Sequence, residues 1–194
     1  MENQKNKNIS NIVRMIWWAV FIMITAWSVY MLFDGRGTKA FMGFLTIVSL
    51  IAIGIWQRKS RYAFPDFFAG MTYAFIFIAV GLGTFGGFYS IPHFDDFLHL
   101  TSGIWIGYGA WIIMGLLVEK TIVNQLPTFF IGLYIILFAL AIAGAWELLE
   151  FAGDKLFHFT AQGRDPDDTM FDMIDGLIGG IIASAFVLRS HSNK

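Results

Sequence analysis

RDPDDTMFDMIDGLIGGII (164–182) begins as an acidic loop and ends as a membrane helix. Asp168, Asp172 and Asp175 stand at i, i+4 and i+7, so one helix face carries three carboxylates into an apolar run. A bilayer core needs about 20 helical residues, and 168–188 supplies them. A charged side chain at the centre of such a helix costs about 3 kcal/mol, and it normally faces the bundle interior or a water-filled cavity. The stretch therefore reads as a transmembrane helix whose acids are neutralised by a metal ion or by protons.

The rest of the chain agrees with a membrane setting. Of its 194 residues, 57% are hydrophobic and 14% are charged, against about 25% charged in soluble domains. Five further segments are long and apolar enough to span: 12–33, 40–56, 66–89, 96–118 and 126–151. Pro65 and Pro127 open the third and fifth in their first turns. The expectation is an all-α integral membrane bundle of six transmembrane helices, one domain over 1–194 with no separate soluble part. The basic tip and apolar run at the start resemble a signal peptide, but the run is too long and lacks a small-residue cleavage site, so it reads as a retained anchor. A formal net charge of −1 gives no basis for a nucleic-acid partner, and the absence of cysteine excludes disulfides and thiolate chemistry.

Lys and Arg set the orientation. With the N-terminus inside, Lys5, Lys7, Arg14, Arg58, Lys59, Arg61, Lys120, Arg189 and Lys194 are cytoplasmic, and only Arg36, Lys39, Lys155 and Arg164 are outside. Both termini are then cytoplasmic, in a plasma (inner) membrane. Most acids collect at the outer ends: Asp34, Asp95, Asp96, Glu147, Glu150, Asp154, Asp165, Asp167, Asp168, Asp172 and Asp175.

Three of those ends carry regular faces. Asp95 and His99 are i, i+4 on the fourth helix; Glu147, Glu150 and Asp154 are i, i+3, i+7 on the fifth; Asp168, Asp172 and Asp175 share the sixth. At about 1.5 Å per residue, Glu147 lies near the outer boundary, His99 about one turn below it and Asp175 about 10 Å below it. The depths overlap, so the three faces are expected to converge. Asp95, His99, Glu147, Glu150, Asp168 and Asp172 are candidate metal ligands. His99, Glu147 and Asp175 are candidate catalytic groups. One imidazole among carboxylates suits Mg, Mn, Fe or Zn, and such an ion activates water or polarises a phosphoryl or carbonyl group. Alternatively, His99 is a general base oriented by Asp95.

Plainer roles are available for several of these residues. Asp165, Asp167 and Asp154 suit a solvated loop with Arg164 and Lys155 as surface partners. Asp34 and Asp66 suit helix ends, and His93 and His158 an interface. Asp175 suits a structural hydrogen bond, and His99 a helix start satisfied by Asp95. Gly103-x3-Gly107, Gly176-x3-Gly180 and Gly179-x3-Ala183 suit close helix packing, and GLGTFGG (81–87) loosens the outer end of the third helix. DMIDG (172–176) is half of a CDP-alcohol phosphotransferase opening, without its remaining acids. DPDD (165–168) lacks the glycine and glutamate of an EF-hand.

The order DDFLH (95–99), WELLEF (146–151), AQGRDPDDTMFDM (161–173) resembles the YjdF-type predicted inner-membrane proteins, a family of unknown function. Its pattern is D-x3-H-F, then E-x-x-E-W, then Q-G-D-x-W-D-x3-D-M before a last helix. Asp95 and His99 match the first part, Glu147 and Glu150 the second, and Gln162, Gly163, Asp168, Asp172 and Met173 the third. Leu100, Phe151 and Asp167 depart from it, and Arg164 lengthens the loop. A looser similarity runs to VanZ-like membrane proteins. The resemblance implies a shared site and leaves its chemistry open.

Three functions fit. The first is a divalent-metal-dependent hydrolase or transferase acting from the outer face on a lipid or cell-envelope precursor. The second is a proton- or cation-coupled transporter that uses the same acids as relays, although no charge lies in the other half of these helices and no inverted repeat is visible. The third is a noncatalytic membrane sensor or partner subunit.

Overall fold

The computed structural model describes residues 2–159, 161–163 and 167–192, and among them there is helix and connecting turn but no strand. Six helices are long and apolar enough to cross a membrane: Asn11–Phe33, Gly37–Lys59, Asp66–Phe85, Phe94–Leu117, Thr128–Phe157 and Asp168–His191. Many large apolar side chains on them face outward, including Phe33, Phe129 and Leu148, as a lipid solvent requires. Hydroxyls within the spans bond back to carbonyls one turn earlier. Thr25 donates to Phe21, Ser28 to Ile24 and Thr72 to Phe68, so these hydroxyls are satisfied within their own helices.

The chain divides into two compact units, Met1–Ile91 and Pro92–Lys194. The first holds α1 (Glu2–Phe33), α2 (Gly37–Lys59) and α3 (Asp66–Ile76). Gly35 at φ +75° ends α1, and the Arg36 amide donates to the Met31 carbonyl at 2.9 Å. Pro65 lies one residue ahead of α3, not in its first turn, and accepts from the Ala69 amide at 3.0 Å. The core of this unit is aliphatic and aromatic. Val20, Ile24, Leu50 and Tyr73 are buried, with Trp17, Phe21, Trp27 and Phe77 packed around them. Trp17 stacks on Phe21 at 5.1 Å, and its indole N–H donates to the Leu50 carbonyl of α2 at 3.0 Å.

The third span departs from the expected helix over 66–89. It widens into a π-helix at Phe77–Phe85 and then stops. The Gly86 amide reaches back five residues to the Gly81 carbonyl at 2.9 Å, and Lys39 takes the Thr84 carbonyl at 2.7 Å. Gly87 then turns into the left-handed region at φ +78°. The glycine run accommodates the wide turn, and a cation rather than another helical turn satisfies a terminal carbonyl.

The second unit holds α4 (Phe94–Leu117), the short α5 (Lys120–Val123), α6 (Thr128–Phe157) and α7 (Asp168–Ser192). Pro127, like Pro65, precedes its helix and accepts from the Ile131 amide at 3.1 Å. α6 runs six residues beyond the expected end at 151, which keeps Glu147, Glu150 and Asp154 on one continuous helix. Here helices meet backbone to backbone. A methyl group on Gly103 would collide with the Gly176 carbonyl, and one on Gly179 would strike the Leu100 carbonyl and the Ile104 amide. On the α6 side, a methyl on Gly176 would lie 2.7 Å from the Ala143 side chain and one on Gly180 2.8 Å from that of Ala139. The small-residue pattern thus brings α7 hard against both neighbours. Below the contact, Ile131, Ile135, Ala183 and Val187 form the buried apolar core.

Candidate metal centre

With α7 seated between α4 and α6 on small residues, the faces predicted from the i, i+4 spacing point at one another. Asp95 and His99 come from the first two turns of α4, Glu147 from α6 and Asp172 from the second turn of α7. His99, Glu147 and Asp172 are 7%, 4% and 3% exposed and are the charged or titratable members of the buried polar set. Asp95 is half-buried.

His99 is the hub. Its Nε2 lies 3.6 Å from Asp95 Oδ1 and 3.8 Å from Asp172 Oδ2, and its Nδ1 lies 4.0 Å from Glu147 Oε1. These distances exceed a hydrogen bond. The two at Nε2 suit groups arranged around a common ion, while Glu147 faces the other ring nitrogen. Two ligands at about 2.1 Å from one metal are at most about 4.2 Å apart. One donor atom each from Asp95, His99 and Asp172 lie within 4.8 Å of one another, so small side-chain rotations close the set. Glu147 makes the stronger demand. Its carboxylate oxygens make no hydrogen bond of good geometry among the described residues, and the Thr169 hydroxyl is the one donor beside them apart from His99. A buried carboxylate with so few donors costs several kcal/mol; beyond the Thr169 hydroxyl and His99, its charged neighbours are the acids Asp168 and Asp95.

The other expected site residues are placed differently. Glu150 is half-buried and accepts the Trp146 indole N–H at 2.8 Å, which turns it along α6. Asp168 opens α7 with its carboxylate over Gly163, a residue at φ +68°, and it is a charged neighbour of Asp95, Glu147 and Asp172. Asp175 is half-buried one turn below Asp172, with Asp96 and His99 as its charged neighbours. His93 bonds Asp96 at 2.7 Å in an exposed pair at φ 64°, and His158 ends α6 at φ 57°. Asp154, expected in a solvated loop, anchors the turn instead, accepting from the Ala161 and Gln162 amides at 2.6 and 3.2 Å. The expectations for Arg164 and Asp165 lie outside the described residues.

A family model described as predicted membrane protein (DUF2238) matches residues 13–193, through all six spans. The chain belongs to the DUF2238 family of predicted membrane proteins. This multi-pass membrane family carries no stated function in that description, in keeping with the YjdF-type resemblance; nothing in the comparisons carries the likeness to VanZ-like proteins. No curated protein and no solved structure matches the chain.

Two further polar residues border the site: Gln162, named in the family pattern, and Thr169, which the sequence motifs do not single out. Gln162 donates its side-chain amide to the Thr169 hydroxyl at 3.2 Å, and Thr169 adjoins Glu147. The signal for Thr169 is its place one turn before Asp172, on the same face of α7.

Proposed function

We propose that this protein is a divalent-metal-dependent membrane hydrolase or transferase acting on a lipid or cell-envelope substrate at the outer face of the plasma membrane. One observation carries the proposal: donor atoms of Asp95, His99 and Asp172 lie within 4.8 Å of one another, with the buried carboxylate of Glu147 facing His99. A divalent ion supplies the positive charge that this group of three acids lacks. Asp95, His99 and Asp172 are its ligands, and Glu147 completes the shell or takes the proton from attacking water. Glu150 and Asp168 form the acidic surround, and Asp175 adjusts the charge below. An imidazole with carboxylates suits Mn, Fe, Zn or Mg, and the ion's part is to activate water or polarise a phosphoryl or carbonyl oxygen.

The outward placement rests on the excess of Lys and Arg at the opposite helix ends, with both termini in the cytoplasm. Confinement of the acids to one end of α4, α6 and α7 favours surface chemistry over transport. Residues 100–117, 128–146 and 176–188 hold no Asp, Glu, Lys or Arg to relay an ion onward. The test is phosphate or headgroup release from phospholipid and polyprenyl-diphosphate vesicles containing the protein, with Mn or Zn added, followed by phosphorus NMR. Metal-dependent turnover that disappears in Asp172→Ala supports the proposal. Metal-independent turnover, or equal turnover in the variant, would refute it.

A further inference from the structure

The first unit contains a second polar feature, which the proposed reaction does not use. α1, α2 and α3 enclose a cleft of about 370 Å³ at the end where α1 and α3 enter the membrane and α2 leaves it. That volume is in the range of small-molecule sites. Trp17, Ile55 and Phe64 give it apolar walls, and Arg14 and Arg58 stand on its rim. Gln57 holds the α2–α3 turn in place through both atoms of its amide, donating to the Phe64 carbonyl and accepting the Phe64 amide at 3.1 Å. Trp17 fixes the opposite wall through its bond to Leu50.

The donors in this cleft outnumber its acceptors. Arg58 has no ion pair or hydrogen bond with any described residue, and Arg14 donates one guanidinium nitrogen to the Asn11 side chain. Tyr73 is 2% exposed and lines the cleft, yet its hydroxyl bonds no described residue, and Arg58 is its charged neighbour. Asp66 is the acid in the lining, in the first turn of α3 where the helix dipole favours it. Arginines that merely snorkel to the interface need no buried phenol beneath them. Two guanidinium groups and a phenol O–H around an apolar-walled cleft match a phosphodiester whose acyl chains continue along the walls into the bilayer.

We propose that this cleft binds the phosphate of a glycerophospholipid of the surrounding bilayer. The site holds the lipid headgroup on Arg14, Arg58 and Tyr73 and its chains on Trp17, Ile55 and Phe64.

The test is native mass spectrometry of the delipidated full chain in detergent, titrated with dioleoylphosphatidylglycerol, with and without excess inorganic phosphate. Wild type should retain one lipid tightly. Arg58→Gln and Arg14→Gln should each weaken it by about fivefold. Tyr73→Phe, which keeps the ring and so the core, should weaken it while melting like wild type. Equal retention by wild type and the Arg14→Gln/Arg58→Gln double variant would overturn the proposal. So would release of the lipid by inorganic phosphate, which would assign the cleft to a free anion.

Discussion

The two units of this chain solve helix packing in opposite ways. In Met1–Ile91, bulky rings fill the space between helices, with Trp17 on Phe21 at 5.1 Å and Trp27 near Phe85 at 5.8 Å, and among the described residues no charged side chain is buried. In Pro92–Lys194, α4 and α7 touch through glycine backbone, and His99, Glu147 and Asp172 are buried together. Ring packing tolerates adjustment because side chains can shift. Backbone contact does not, and it fixes the distance between functional groups on facing helices. A site of three acids and an imidazole needs that fixity, because its members repel one another unless a cation is held among them.

The contrast breaks most visibly at the glycines. Gly179→Val should destabilise the protein by about 3 kcal/mol or more, since even a Cβ strikes backbone there. Gly115→Ala on α4, with nothing within 4 Å of the added carbon, should leave the melting temperature in detergent unchanged or higher. Gly54→Ala in the first unit meets the Trp17 ring at 3.1 Å and should fall between the two. Equal melting of all three would remove the distinction between the units.

Next in size is Glu147→Leu. It removes a buried carboxylate that lacks a hydrogen bond of good geometry and stands among other acids, so the metal-free protein should gain about 1–3 kcal/mol. The added stability that Mn or Zn gives to wild type should disappear in the same variant. A metal-free protein destabilised by this change would mean that Glu147 has a structural partner.

Asp154→Ala should cost about 1–2 kcal/mol by freeing the Ala161 and Gln162 amides. Hydrogen exchange should rise at those two amides, with α4 unaffected. Smallest is Trp17→Phe, which keeps the stacking and loses the bond to Leu50. About 1 kcal/mol is expected, with metal affinity untouched, and a fall in metal affinity would contradict the independence of the site from this residue.

The sequence shows the spans plainly, because about 20 apolar residues between charged turns admit few other structures in lipid. The i, i+4 spacing of Asp95 with His99 and the register of Asp172 on α7 are equally local, so one-sided polar faces are readable without coordinates. Which face meets which is not local. It depends on the rotation that Gly103, Gly176 and Gly179 permit, and the small-residue pattern only hints at that. The diversion of Glu150 to Trp146 is an i, i+4 pair, legible in hindsight. The π-helix at Phe77–Phe85 and the capping by Asp154 depend on distant or loop partners, Lys39 for the first and the Ala161 and Gln162 amides for the second.

The central claim is that α4, α6 and α7 hold a cation. Elemental analysis by mass spectrometry of the detergent-purified protein, after incubation with Mn or Zn and gel filtration, tests it most directly. Near one metal per chain is expected, falling to background in His99→Ala and Asp172→Ala while both variants still elute as folded protein. Metal-free wild type, or equal metal in wild type and both variants, would contradict it.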